Sequence, residues 1–146
     1  MKKMNKLFLL VMLPALLLMA INNAIAAGGK TKPEDAAVAS AQNWLKTVDS
    51  GKYGQAWDQA AQYFKNVVPK ANFEESFRGV RSPLGKVMKR SLESAKYTKT
   101  LPGAPDGEYT VIQFKTEFEN KRESVETITP QKEKDGRWRV SGYYIK

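Results

Sequence analysis

Arg81 and Arg90 are the side chains with the most chemistry to offer. Strand alternation puts Arg90 on the same face as Met88 and Leu92, and a guanidinium between apolar neighbours needs an anion. That anion is either an acid of the same chain or a ligand carboxylate or phosphate held by the planar fork. Arg81 stands just before Ser82-Pro83. It either holds a ligand anion in the same way or donates to the free carbonyls of a helix that must end there. Tyr53, Trp57, Tyr109, Tyr143 and Tyr144 carry large apolar surfaces and polar tips. They line an aromatic pocket between helices and sheet, or they are core. Glu126 and Asp106 are the acids to consider for proton transfer, which needs a carboxylate pKa raised by burial or a second acid. Asp106-Gly107 reads as turn chemistry and Glu126 as the cross-strand partner of Lys115, so no catalytic residue is assigned. The candidate ligand-binding set is Arg90, Arg81, Tyr53, Trp57, Tyr109 and Tyr144.

Composition closes many other chemistries. The 146 residues include no His and no Cys, which removes the side chain that titrates nearest neutrality, thiolate nucleophiles, disulfides and zinc sites built from either residue. The sequence carries no Gly-rich phosphate loop, nucleophile elbow, calcium loop or carboxylate pair at metal-binding spacing. No cofactor and no metal are therefore expected.

The N-terminus reads as an address. Lys2, Lys3 and Lys6 precede an apolar run from Leu7 to Ile21, and Ala24-Ile25-Ala26 places small residues where a signal peptidase reads. Residues 1–26 are expected to be a cleaved secretory signal, with 27–32 a flexible lead and 33–146 one domain. The apolar run is interrupted by Pro14 and is shorter than the roughly 20 residues needed to span hydrocarbon, so no stable membrane insertion is expected after cleavage. The signal carries three lysines and no acid, so its removal lowers the formal charge from +9 to +6. A periplasmic or secreted location makes nucleic acid a poor partner and leaves anionic envelope surfaces, acidic ligands or envelope proteins.

Hydrophobic periodicity then sets the elements. Thr31-Lys32-Pro33-Glu34 reads as a helix start, Ala37, Ala41, Trp44, Leu45 and Val48 recur at helical spacing, and Asp49-Ser50-Gly51 reads as the stop. A second helix carries Tyr53, Ala56, Trp57, Ala60 and Phe64 on one stripe until Pro69, and a third runs from Asn72 to Ser82-Pro83 with Phe73, Phe77 and Val80 aligned. Beyond Leu84-Gly85 the period changes to two. Strands are expected over about Lys86 to Thr98 and around Thr110 to Phe118, followed by hairpins turning at Asn120-Lys121 and Asp135-Gly136. Those turns would set Phe114 opposite Thr127 and Thr127 opposite Tyr144. The expected core face is then Ile112, Phe114, Val125, Thr127, Thr129, Trp138, Val140 and Tyr144, with Val111, Gln113, Lys115, Glu117 and Tyr143 on the opposite one. The fold class is α+β, with three N-terminal helices on one face of a curved four-stranded antiparallel meander.

The ordered segments Trp44-Leu45, Asp49-Ser50-Gly51-Lys52-Tyr53, Ala56-Trp57, Arg81-Ser82-Pro83-Leu84-Gly85 with Arg90, Leu101-Pro102-Gly103, Pro105-Asp106-Gly107-Glu108-Tyr109, Glu126-Thr127, Trp138-Arg139-Val140 and Gly142-Tyr143-Tyr144 span nearly all of the expected mature chain. Together they resemble domain-of-unknown-function family 4019, a family of exported bacterial proteins. The family has no assigned activity, so the resemblance brings no functional residues with it. The helices-then-sheet order also resembles nuclear-transport-factor-2-like and cystatin-like domains, a superfold that hosts enzymes, carriers and assembly modules alike. The expectation is an exported, non-catalytic binding or accessory module of the bacterial envelope, taking a small amphiphilic or anionic ligand or a protein partner. The alternatives are a small enzyme using a carboxylate and a tyrosine in an apolar cavity, and a homodimer assembled through the outer sheet face.

Overall fold

In the computed structural model, which describes residues 32–146, the chain enters its first helix at Pro33. The expected signal, and all of the lead except Lys32, lie outside the described residues. Helix α1 (Pro33–Asp49) buries Ala37, Ala41, Trp44, Leu45 and Val48, the stripe its spacing predicts. Its first turn is closed by Asp35, whose carboxylate accepts the Lys32 backbone N–H at 3.1 Å. It ends where Gly51 takes φ 72°, a left-handed conformation that side-chain-bearing residues avoid.

The second expected helix is two helices, so the helical layer has four rather than three. Helix α2 (Tyr53–Asp58) and helix α3 (Gln62–Val67) are separated because the Ala61 N–H leaves the helical ladder to donate to the Val140 carbonyl at 2.8 Å. The Gln62 N–H then finds the Glu133 carboxylate at 2.9 Å. Hydrogen bonds supplied by the sheet outcompete continuation of a helix whose sequence permits it. Helix α4 (Lys70–Arg81) follows Pro69, starts two residues before the expected Asn72, and runs into a 3₁₀ turn at Ser82–Leu84. Phe73 is buried, whereas Val80, expected on the same stripe, is 45% exposed.

Four strands, β1 (Val87–Thr98), β2 (Glu108–Phe118), β3 (Lys121–Lys132) and β4 (Trp138–Ile145), form an open antiparallel meander in the order β1-β2-β3-β4. The helices cover one face of it, and Ile112, Phe114, Ile128 and Val140 of the sheet share one apolar cluster with Ala41, Trp44, Leu45 and Phe73 of the helices. This is the expected α+β arrangement.

Register departs from expectation at two bulges, with consequences for every side chain between them. The β2–β3 turn falls on Glu119-Asn120 rather than Asn120-Lys121, which shifts the pairing by two residues, and a bulge between Thr116 and Phe118 takes one of them back, leaving a net slip of one. Phe114 therefore faces Glu126 instead of Thr127, and Ile112 faces Ile128 instead of Thr129. A one-residue slip turns a whole strand over. Ser124, Glu126, Ile128 and Pro130 are buried, and the expected core set Val125, Thr127 and Thr129 lies on the other face. On β3–β4 the expected pairs Thr127–Tyr144 and Thr129–Gly142 are present, but a bulge beyond Thr129 brings Val140 opposite Pro130. Val140 and Tyr143 consequently both reach the interior, and Tyr144, expected inside, is 63% exposed.

Candidate functional site

The helix ends and the sheet meet at a partly buried charge cluster. Asp49 closes α1, Arg81 closes α4, and Arg90, Thr116, Glu126 and Tyr143 come from β1, β2, β3 and β4 in turn. The Asp49 carboxylate takes one hydrogen bond from Arg81 Nη2 at 2.7 Å and two from Arg90, at 2.7 and 3.0 Å. Glu126 is fully buried; its Oε1 accepts from Arg90 Nε at 2.7 Å and from the Thr116 hydroxyl at 2.6 Å, and its Oε2 accepts from the Tyr143 hydroxyl at 2.7 Å. Arg81 Nη1 lies 3.8 Å from that same Oε2, and the guanidinium sits 5.0 Å over the Phe118 ring. Two cations and two anions thus neutralise one another across the boundary of the interior, with Glu126 and Arg81 buried, Arg90 half-buried and Asp49 reaching solvent.

The electrostatics follow from this geometry. Burial alone would raise the Asp49 pKa, but the hydrogen bonds and charges of Arg90 and Arg81 outweigh it and hold the carboxyl below its ordinary value. Burial would likewise make Arg90 easier to deprotonate, and the bonds to Asp49 and Glu126 reverse that, leaving it more firmly protonated than a free arginine. Burial, with the Glu126 charge beside it, pushes the Tyr143 hydroxyl far above the ordinary tyrosine range. Tyr143 is a permanent donor at any physiological pH. A carboxylate and a phenol do meet here, but both oxygens of Glu126 already accept hydrogen bonds from the chain, which leaves no lone proton carrier aimed at open space.

Of the expected ligand set, only Arg81 and Arg90 are brought together, and each is held by the chain's own acids. Arg81 does not cap a helix end; it spans from α4 to Asp49. Leu92 shares the Arg90 face but is half exposed at the sheet edge, and Met88, in the β1 bulge, is 63% exposed. The expected pair Lys115–Glu126 is absent, because β3 is turned over; Lys115 faces Glu93 at 3.5 Å. The aromatic pocket is not assembled either. Tyr53 packs on Phe77, and Trp57 donates to the Val68 carbonyl at 2.7 Å with Lys65 and Lys70 over its ring. Tyr109 is buried with its hydroxyl on the Pro105 carbonyl at 2.6 Å, while Tyr144 is exposed. Asp106 lies exposed in the β1–β2 loop.

Two open grooves lie elsewhere. The first, about 420 Å³, runs between α1 and the β3–β4 hairpin. Ala36, Ser40, Asn43 and Trp44 of α1 line one side, Gln59 one end, and Arg137, Trp138 and Val140 the other side. Its wall is fixed by the Ser40 hydroxyl, which donates to the Trp138 carbonyl at 2.7 Å. Thr47 occupies the Gln59 side-chain oxygen, so the Gln59 NH₂ is left to donate. Arg137 forms no ion pair among the described residues, whereas its neighbour Arg139 is held by Glu133 and Asp135, both at 2.8 Å. The second groove, about 740 Å³, takes one cation from each strand or its flank, Lys89, Lys115, Arg122 and Lys146, against Glu117 and Glu123.

Asp49, Tyr143 and Arg137 escape a reading of the sequence for different reasons. Asp49 looks like a helix stop, Tyr143, named there only for an aromatic pocket or the outer face, comes inside opposite Ile128 because β3 is turned over, and Arg137 follows a hairpin turn where charge is ordinary. The signal that pointed to the cluster was Arg90 in an apolar alternation, which demanded acids without naming them. Among the described residues no helix is long and apolar enough to cross a membrane, and no three His, Cys, Asp or Glu side chains group to hold a metal ion. No curated protein matches the chain. The model of the family described as protein of unknown function DUF4019 matches residues 40–143, a span that includes all six members of the charge cluster and every lining residue of the α1–hairpin groove except Ala36. The chain belongs to the DUF4019 family.

Proposed function

We propose that this chain is an exported, non-catalytic binding module of the cell envelope and that the groove between α1 and the β3–β4 hairpin is where it binds a small ligand. The observation that carries this reading is the contrast between its arginines. Arg81 and Arg90 are ion-paired with Asp49 and Glu126, while the Arg137 guanidinium makes no salt bridge among the described residues and lines a groove together with Trp138 and Val140. Apolar floor, convergent polar donors and a volume within the roughly 300–1,000 Å³ of small-molecule sites fit ligand binding. Export is supported by the three-part N-terminal layout, and it is tested by the mass of protein recovered from the envelope fraction, which should begin at Ala27. Binding is tested by native mass spectrometry of freshly purified protein. A co-purified small molecule that is lost in Arg137→Ala and kept in Arg90→Lys supports the groove; retention in Arg137→Ala rejects it.

A second reading is a contact with an anionic envelope partner through the outer sheet face, favoured by the four cations that the strands and their flanks bring to the larger groove. Salt-sensitive retention on an acidic polysaccharide column, weakened by Lys89→Glu with Lys115→Glu, would support it. Equal weakening by charge reversal at Lys46 and Lys52 would reject it.

A further inference from the structure

We infer that the ligand of the α1–hairpin groove is a monocarboxylate with an apolar body. The inference rests on the binding reading above and narrows its chemical class. Three donors converge on the groove: the Arg137 guanidinium, the Asn43 amide, which makes no hydrogen bond among the described residues, and the NH₂ of Gln59, whose oxygen is already taken by Thr47. All three side chains are exposed and open to a ligand, and a planar guanidinium fork beside amides matches a carboxylate.

Charge count selects a monoanion. Arg137 is the one unpaired cation at the groove, and its backbone N–H is bonded to Asp135 Oδ1 at 3.0 Å, so a carboxylate already stands beside it. A phosphate dianion would bring two negative charges to one unpaired cation beside that acid, whereas a carboxylate brings one. The rest of the lining decides the body. Ala36, Trp138 and Val140 present aliphatic and indole surface, and Trp138 is packed against the core with its backbone carbonyl held by Ser40, so this wall costs little to order. The ligand lies with its chain along the indole and its carboxylate at the rim, open to water on one side.

Titration of the purified protein with octanoate, octanol and octylamine, followed by NMR at the Trp138 indole and the Asn43 and Gln59 side-chain amides, tests this. Octanoate should shift all three and bind more tightly than either analogue. Arg137→Ala, which removes no described ion pair, should weaken octanoate about tenfold while leaving octanol unchanged. Asn43→Asp should reverse the preference toward octylamine. Octanol or octylamine binding as tightly as octanoate, with Trp138 still shifted, would overturn the carboxylate class and leave the groove standing. Failure of all three compounds to shift the Trp138 indole would overturn both the class and the groove.

Discussion

Glu126 shows how much a single side chain can organise. Its two oxygens take hydrogen bonds from β1, β2 and β4, and Arg90 carries the connection on to Asp49 at the end of α1. Removing one member of a buried pair leaves its partner charged and unsolvated, which typically costs about 3–5 kcal/mol. Glu126→Ala should therefore lower stability by about that amount in urea unfolding. Arg90→Ala should lower the melting temperature as well, even where ligand is retained, because Arg90 is structural. The Asp49 carboxyl is held below its ordinary value of 3.8, so its ion pairs stabilise the fold fully above about pH 4. That contribution is lost as pH falls through the lowered folded-state value, since the unfolded chain takes up the proton first. Unfolding measured between pH 2 and 7 should show an acid limb that Asp49→Asn flattens. An unchanged limb would place the acid sensitivity elsewhere.

Elements here are ended and turned by one another as much as by their own residues. The break between α2 and α3 is made by the Val140 carbonyl and the Glu133 carboxylate, both from the neighbouring hairpin. A side-chain cap of this kind is worth about 1 kcal/mol, so Glu133→Ala should cost about that much and speed hydrogen exchange at the first amides of α3. Glu133 also holds Arg139, and Glu133→Gln, which keeps an oxygen for the cap, separates the two roles. Gly51 makes the α1 stop with φ 72°, and Gly51→Ala should destabilise by about 1 kcal/mol with no change in the sheet. The bulges in β3 and β4 are equally local and matter more, because each decides which residues of a strand reach the interior.

For the molecule as a whole, one apolar cluster is shared by helices and sheet, so neither layer has a core of its own. Tryptophan fluorescence, which reports the helical layer and Trp138, and far-ultraviolet circular dichroism should therefore give coincident urea transitions. A biphasic transition would mean that the layers come apart separately. Phe114, 1% exposed at the centre of that cluster, should cost about 3–5 kcal/mol as Phe114→Ala without making the transition broader.

The fold class, the buried stripe of α1, and the inward direction of Ile112, Phe114 and Val140 are legible in the sequence, because a periodicity of 3.6 or 2 is a property of one segment and survives whatever packs against it. The order of strands follows too, since short turns force neighbours to pair. What only the tertiary structure decided is everything that depends on an offset of one residue or on a partner distant in the chain. The bulge between Thr116 and Phe118, added to the turn at Glu119-Asn120, brings Glu126 and, opposite Ile128, Tyr143 into the interior and sends Thr127 and Tyr144 out, and the bulge beyond Thr129 keeps Val140 inside. With that, the acids owed to Arg90 became Asp49 and Glu126, and the arginine left for a ligand became Arg137. The physical reason is that hydrophobic pattern tolerates a slip wherever both faces of a strand carry threonine, valine and isoleucine, so the turn, the bulges and the partners packed against the strand decide which face goes inside.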